Sequence, residues 1–225
     1  MFVPEAFAPP EPGWITELIR GFPLATLVTH GPRRPYVTHL PALLEADVEG
    51  TGEAPADLVG TRMYGHLNRA NPHWEGLAGP SEAVLVFQGP HGYVSPTVYR
   101  AEPAAPTWNF TAVHVQGTLR RIESPERTLE IVRATVATYE REQGTGWDMR
   151  SSLGYFDRLL PGVGAFEIDI ASVDGMFKLS QDQSPERRTR VSDAFARSGR
   201  GLHGELAALM GRLGTPPREG TDGPR

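Results

Sequence analysis

With 225 residues, 39% of them hydrophobic, the chain is long enough to bury a substantial core as one domain with helical additions. It contains no cysteine, which excludes disulfides, thiolate metal sites and cysteine nucleophiles. Its 27 acidic residues outnumber its 22 lysines and arginines, and a net charge of −5 argues against a surface built mainly to grip nucleic acid. The first predicted element is a short helix over Glu11 to Gly21, with Trp14, Leu18 and Ile19 at helical spacing and Gly21-Phe22-Pro23 as its stop. Two β-type runs follow, Leu24 to Thr29 and Tyr36 to Leu44, and the Gly31 to Pro35 turn residues between them predict a hairpin. Glu45 to Asp57 reads as a solvated loop and Leu58 to Leu67 as a third strand. Asn71-Pro72 to Leu77 suits a short helix, and Ala83 to Phe87 is a compact buried strand.

Phe110 to Ile122 carries the clearest alternation. Val113, Val115 and Leu119 are predicted to point one way, and His114, Gln116, Thr118 and Arg120 the other. Phe166, Ile168 and Ile170 alternate with Glu167 and Asp169 in the same manner. Ser124-Pro125-Glu126-Arg127 and Ser184-Pro185-Glu186-Arg187 each supply an N-cap serine, a proline at the first helical position and an early glutamate. Shared helix-start chemistry explains this duplication better than an internal repeat does. After the first of them, Leu129, Val132, Val136 and Tyr139 form a predicted apolar stripe. The tail, 214–225, is Gly, Pro and charge and is expected to be disordered.

The 25 glycines and 21 prolines, and the absence of strand–helix–strand alternation, point to a mainly β antiparallel barrel with helical flanks. Residues 1–213 are expected to form one domain. Neither a Gly-x-Gly-x-x-Gly nor a Gly-Lys-Ser/Thr phosphate loop occurs. No apolar run nears the roughly 20 residues that span a bilayer. Met1 to Glu5 has no basic stretch ahead of an apolar core, so a cytoplasmic location is expected.

Four polar clusters could carry chemistry. Tyr64 to Trp74 falls where a strand gives way to a helix start, and holds His66, Asn68, Arg69 and Asn71. Free N–H groups and a guanidinium there suit a phosphate, while capping explains the asparagines equally well. Phe87 to Pro96 reads as a turn between strands whose glycines let a ligand approach, or as a turn alone. Pro106-Thr107-Trp108-Asn109-Phe110 precedes a strand, and Trp108 suits stacking on a planar ring or packing at an interface. Phe177-Lys178-Leu179-Ser180-Gln181 holds the chain's only lysine, suited to an anion or to an exposed strand edge. No metal-ligand spacing occurs among the seven histidines, although His39, His66 and His114 lie in β-type segments that could meet. Ser95 and Ser180 lack the context of a catalytic nucleophile.

Taken in order with Ala25 to Thr29 and Thr38-His39-Leu40-Pro41, these clusters resemble the PaiB family, also described as FMN-binding negative transcriptional regulators. The resemblance runs from Val3-Pro4 to about Val191. It implies a split β-barrel of the pyridoxamine-phosphate-oxidase type, working as a homodimer with FMN in the cleft between subunits. By the same likeness, Tyr64 to Asn71 (with His66, Asn68 and Arg69) would hold the phosphate. Thr38 and His39 would face the flavin or its ribityl chain. Trp108, Asn109 and Thr111 would come from the partner subunit, and Lys178 and Gln181 would close the site. The sequence departs from the family at Asp182, where Asn is usual, and at Val98, where an aromatic is usual. Two functions lead under this likeness, with heme handling, which occurs on related split barrels, ranked last. One is a flavin-binding regulator, for which direct DNA contact finds no support in charge or motif; the other is an FMN-dependent oxidoreductase on a small molecule.

Overall fold

A computed structural model describes residues 1–213; the tail expected to be disordered lies outside the described residues. Six strands run in chain order: β1 (Leu24–Thr29), β2 (Tyr36–Leu44), β3 (Arg62–Asn68), β4 (Ser81–Val94), β5 (Thr107–Arg121) and β6 (Val163–Lys178). Helices α1 (Gly13–Gly21), α2 (Glu45–Glu49), α3 (Pro72–Gly76), α4 (Pro96–Tyr99), α5 (Pro125–Glu142), α6 (Leu153–Leu159), α7 (Pro185–Ser198) and α8 (His203–Arg212) flank them. The strands close a barrel in the order β1-β2-β3-β6-β5-β4, and the registered pairs are antiparallel. The expected antiparallel barrel with helical flanks is therefore the fold.

The barrel interior follows from period-two patterning. Ala25, Leu27 and Thr29 of β1 are buried, and Leu27 lies opposite Leu85 of β4. Val113, Val115 and Leu119 are fully enclosed, while His114, Gln116 and Thr118 are half-buried and Arg120 is exposed. Phe166 and Ile168 point inward opposite Gly65 and Met63. Burying each such side chain contributes ~1.5–3 kcal/mol. Gly65 has no room for a side chain: a Cβ there would lie 2.5 Å from Cζ of Phe166. On the opposite side of β3, Tyr64 joins Ile122, Ile131 and Ala165 in a second apolar cluster beneath α5.

Several expectations are corrected. Glu45 to Asp57 is not all loop, because α2 forms there; its acidic first turn favours the helix, and Gly50 ends it with a left-handed φ of 73°. The third strand begins at Arg62 rather than Leu58. Phe87 to Pro96 is not a turn: β4 runs on to Val94, with Gly92 and Val94 buried while His91 and Tyr93 are exposed. Strand β5 starts three residues before Phe110 and takes in Trp108 and Asn109. The buried stripe of α5 is Thr128, Ile131, Thr135 and Thr138, one residue behind the expected Leu129, Val132, Val136 and Tyr139, which are half-buried. The Thr128 and Thr135 hydroxyls donate to the carbonyls of Ser124 and Ile131, so these threonines enter the interior with their polar atoms satisfied. Both Ser-Pro-Glu-Arg segments start helices, and Ser124 and Ser184 cap them.

The chain divides into two compact units. The first comprises Met1, Glu11–Gln88 and Ala112–Gly175; the second comprises Phe2–Pro10, Gly89–Thr111 and the described part of Met176–Arg225. Within the second, α7 and α8 bury Val191, Phe195, Leu206 and Met210. No described helix is long and apolar enough to cross a membrane.

Candidate functional site

In the first unit, the segment between β3 and α3 is held by its own backbone and side chains. The side-chain oxygen of Asn68 accepts from the Ala70 N–H at 2.8 Å. That of Asn71 accepts from the His73 N–H at 3.0 Å and caps α3. The Asn71 oxygen is thus a cap and the Asn68 oxygen closes the turn that precedes it, and α3 is a single turn of five residues whose first N–H groups are partly taken by the cap. Arg69 behaves differently. Its backbone N–H donates to Gly162 O at 2.9 Å and its Nε to Val163 O at 2.8 Å. This anchors the stem, while both terminal guanidinium nitrogens keep no hydrogen-bond partner among the described residues. The guanidinium carbon lies 5.5 Å from the Trp74 ring centre.

Beside this segment is a buried polar network that sequence patterning did not reveal. His73, 1% exposed, stacks on Tyr36 with ring centres 5.2 Å apart. Its Nδ1 lies 2.8 Å from Thr38 Oγ1 and its Nε2 2.8 Å from Thr29 Oγ1. Asn71 Nδ2 donates to the same Thr38 oxygen at 3.2 Å. Either neutral tautomer makes all three contacts: Thr38 accepts from Asn71 and either donates to or accepts from Nδ1, while Nε2 donates to or accepts from Thr29. Burial pushes the His73 pKa down, which keeps the ring neutral. The partners come from β1, β2 and α3, so no local motif announces them.

The remaining expected residues of this unit are separate. His39 is exposed and its Nδ1 pairs with Thr26 Oγ1 at 3.0 Å. His66 is half-buried, its Nδ1 has no partner, and burial pushes its pKa down. The possibility that His39, His66 and His114 meet is not realised, since no metal-holding group forms among the described residues. Depressions in this unit lie beside α2, one lined by Leu44, Glu45 and Thr61 and another by Arg20, Asp47 and Arg141; neither includes an expected residue.

In the second unit, Trp108 is 52% exposed and lies near two other rings, with centres 6.3 Å from His91 and 5.8 Å from Tyr93. Asn109 is fully buried and trades hydrogen bonds with Ser180 at 2.9 and 3.1 Å. Ser180 takes up a positive φ of 63° to do so. Thr111 is buried and donates to Pro90 O at 3.3 Å. Lys178 Nζ donates to Thr107 Oγ1 at 2.8 Å and sits 5.5 Å from the Phe7 ring centre. Gln181 closes the turn after β6 by donating to Phe177 O and accepting from the Leu179 N–H at 2.6 Å. Asp182 is exposed and accepts from Gln183, and Val98 is half-buried in α4. Of this group, Trp108 and Lys178 present surface, while the polar atoms of Asn109, Thr111 and Gln181 are engaged within the unit.

A family model described as "Putative FMN-binding domain" matches residues 1–172. The protease synthase and sporulation protein PAI 2 of Bacillus subtilis (strain 168) is 28% identical over 212 residues, covering 93% of this chain and 96% of that protein. An uncharacterized protein of Aspergillus fumigatus is 26% identical over 226 residues, covering 82% of this chain and 87% of its own length. Among solved structures, the conserved hypothetical protein Rv2991 from Mycobacterium tuberculosis superposes with a TM-score of 0.54 at 13% identity, covering 82% of this chain and 94% of that one. The FAD and heme binding protein from Mycobacterium smegmatis gives 0.51 at 14% identity, covering 79% and 76%. These two likenesses show the fold.

Proposed function

The chain belongs to the FMN-binding-domain family, is PaiB-like over most of its length and has FMN as its cofactor, and on that footing we propose that it is a cytoplasmic homodimeric flavoprotein with a negative regulatory role. In this reading FMN lies between two copies of the chain. The Tyr64 to Asn71 segment receives the phosphate, with Arg69 as its main charge, and Thr38 and His39 face the flavin or ribityl chain. The partner copy brings Trp108, Asn109 and Thr111 to the site, and Lys178 and Gln181 close it. The observation that carries the phosphate assignment is Arg69: its stem is fixed by two backbone carbonyls while its terminal nitrogens stay free. Such a fork suits a phosphate.

Support for the dimer comes from the outer face of β1, β2 and β4. Leu24 and Val37 are 66% and 58% exposed. The register sets Leu24 beside Pro41, and Val28 beside both Val37 and Val84. Exposed apolar residues gathered on one face, here on either side of the Thr26–His39 pair, suit an interface. The regulatory role is carried from the likeness to PaiB-type proteins; with a net charge of −5, a protein partner or a metabolic signal fits better than operator DNA.

The exposed grouping of Trp108, His91 and Tyr93 favours a second reading, an FMN-dependent oxidoreductase, because an exposed aromatic cluster offers a planar substrate a ring to stack on. Titrating the purified protein with FMN by visible absorption, beside FAD and heme, tests the shared premise: saturation near one FMN per subunit is expected. Reduction of the bound flavin by NADH or NADPH then selects the oxidoreductase, and its absence together with a captured regulatory partner selects the regulator.

A further inference from the structure

We propose that Arg121 is a second cationic arm of the phosphate site, paired with Arg69 through the indole of Trp74; this rests on the reading that Arg69 meets the FMN phosphate. Arg121 lies at the end of β5, far from Arg69 in sequence, and no motif links the two. The fold brings both to one ring: the guanidinium carbon of Arg121 is 4.3 Å from the Trp74 ring centre and that of Arg69 is 5.5 Å. The two guanidinium carbons therefore lie no more than about 10 Å apart, which lets one anion lie near both.

Each part of this arrangement is held. Arg121 Nη2 donates to the Trp74 carbonyl. The indole is seated against Gly164, where a Cβ would come within 2.6 Å of the ring. Arg69 is tied to Gly162 and Val163, the residues just before Gly164. One strand end thus positions the ring and the Arg69 stem together.

Charge then points to an anion. Several arginines of this unit have carboxylate partners, Arg62 and Arg120 sharing Asp169, Arg127 meeting Glu130 and Arg20 meeting Asp47, while others such as Arg133 and Arg158 have none among the described residues. Arg69 and Arg121 have none within ion-pair distance among the described residues. Arg121 Nε is also shielded from solvent without a hydrogen-bond partner. What sets Arg69 and Arg121 apart is that both lie against one aromatic ring, where two like charges repel each other and an anion near both relieves that repulsion. A phosphate dianion offsets both.

The test compares FMN with riboflavin, which lacks the phosphate, in fluorescence titrations of the full chain and of Arg121→Gln, Arg121→Lys and Arg69→Gln. Arg121→Gln is expected to weaken FMN on the order of tenfold and to leave riboflavin within about twofold. Arg121→Lys, which keeps the charge and loses the fork, is expected to fall between, and it serves as the reading if Arg121→Gln does not fold. An FMN-to-riboflavin ratio that falls in Arg69→Gln but stays unchanged in the Arg121 variants overturns the role of Arg121 alone. A ratio unchanged in all three removes the Arg69 reading beneath it. Equal weakening of both flavins by the Arg121 variants assigns Arg121 to structure and also overturns the proposal.

Discussion

Thr38 holds His73 by a 2.8 Å hydrogen bond to Nδ1 and receives the Asn71 amide on the same oxygen. Through that one hydroxyl, the cap of α3 and the second strand of the barrel are fixed to each other. Thr38 and Asn71 are both residues that the family likeness ties to the cofactor, so the geometry of this proposed site depends on a histidine that has both ring nitrogens engaged inside the protein.

That dependence gives stability a pH signature. Burial lowers the pKa of His73, and of His66, below the ordinary imidazole value of about 6.5. The unfolded chain therefore takes up protons first as the medium is acidified, and the folded state loses stability below about pH 6.5, continuing down through the lowered folded values. Above that pH both states hold neutral rings and these groups add no slope. Thermal melts between pH 7.5 and 5 are expected to show Tm falling on the acid side, with a shallower fall in His73→Gln. An equal slope in that variant would remove His73 from the explanation.

Replacing Arg69 by Ala is expected to weaken FMN by about ten- to a hundredfold, the loss of a charge-assisted contact. Arg69 is exposed, so the unfolding midpoint should move little. Absorption titration and a urea melt of the same preparation read the two effects. Unchanged FMN affinity would sink the phosphate assignment.

Gly65→Ala places a methyl group against the Phe166 ring, which is itself fully buried. Overpacking of this kind costs about 1–3 kcal/mol. A smaller ring-site residue should recover part of it: Gly65→Ala combined with Phe166→Leu is expected to be less destabilised than the two single changes summed. A double-mutant cycle in urea measures that coupling, and strict additivity would refute the contact.

The outer stripe on β1 and β2 offers a test of assembly. Val37 is 58% exposed beside Val28, and a Val37→Glu change puts a carboxylate among the exposed apolar residues of this face. Light scattering after size exclusion is expected to show a dimer for the unaltered chain and a monomer for the variant, with the circular dichroism spectrum preserved. A variant that remains dimeric would move the interface elsewhere.

How far the sequence could be read depended on how local the controlling interactions were. The β1–β2 hairpin is legible residue for residue because alternation and a Gly-Pro turn are both local. The inner face of β5 is legible for the same reason, Val113, Val115 and Leu119 being enclosed as their spacing requires. Strand β4 is not: Gly89 and Pro90 signal a turn, yet the extended backbone continues through them. The α5 stripe is misread because hydropathy ranks Leu129 above Thr128, whereas the helix satisfies the threonine hydroxyl internally and buries it. Within the candidate site, Arg69 is visible as a basic residue at a strand end, but His73 and Arg121 acquire their places only through contacts between distant elements.

The second unit is not a continuous stretch of chain. It is assembled from Phe2–Pro10, Gly89–Thr111 and a portion beginning at Met176, and contacts such as Lys178 with Phe7, Asn109 with Met210 and Arg190 with Tyr99 tie the three together. A single crossover between related genes cannot deliver such a unit whole. Recombination that replaces only the portion after β6 would inherit an α8 whose Met210 was selected against one Asn109 and is then set against another. Change in this unit should therefore be conservative or concerted, with exchanges in one segment answered in the other two.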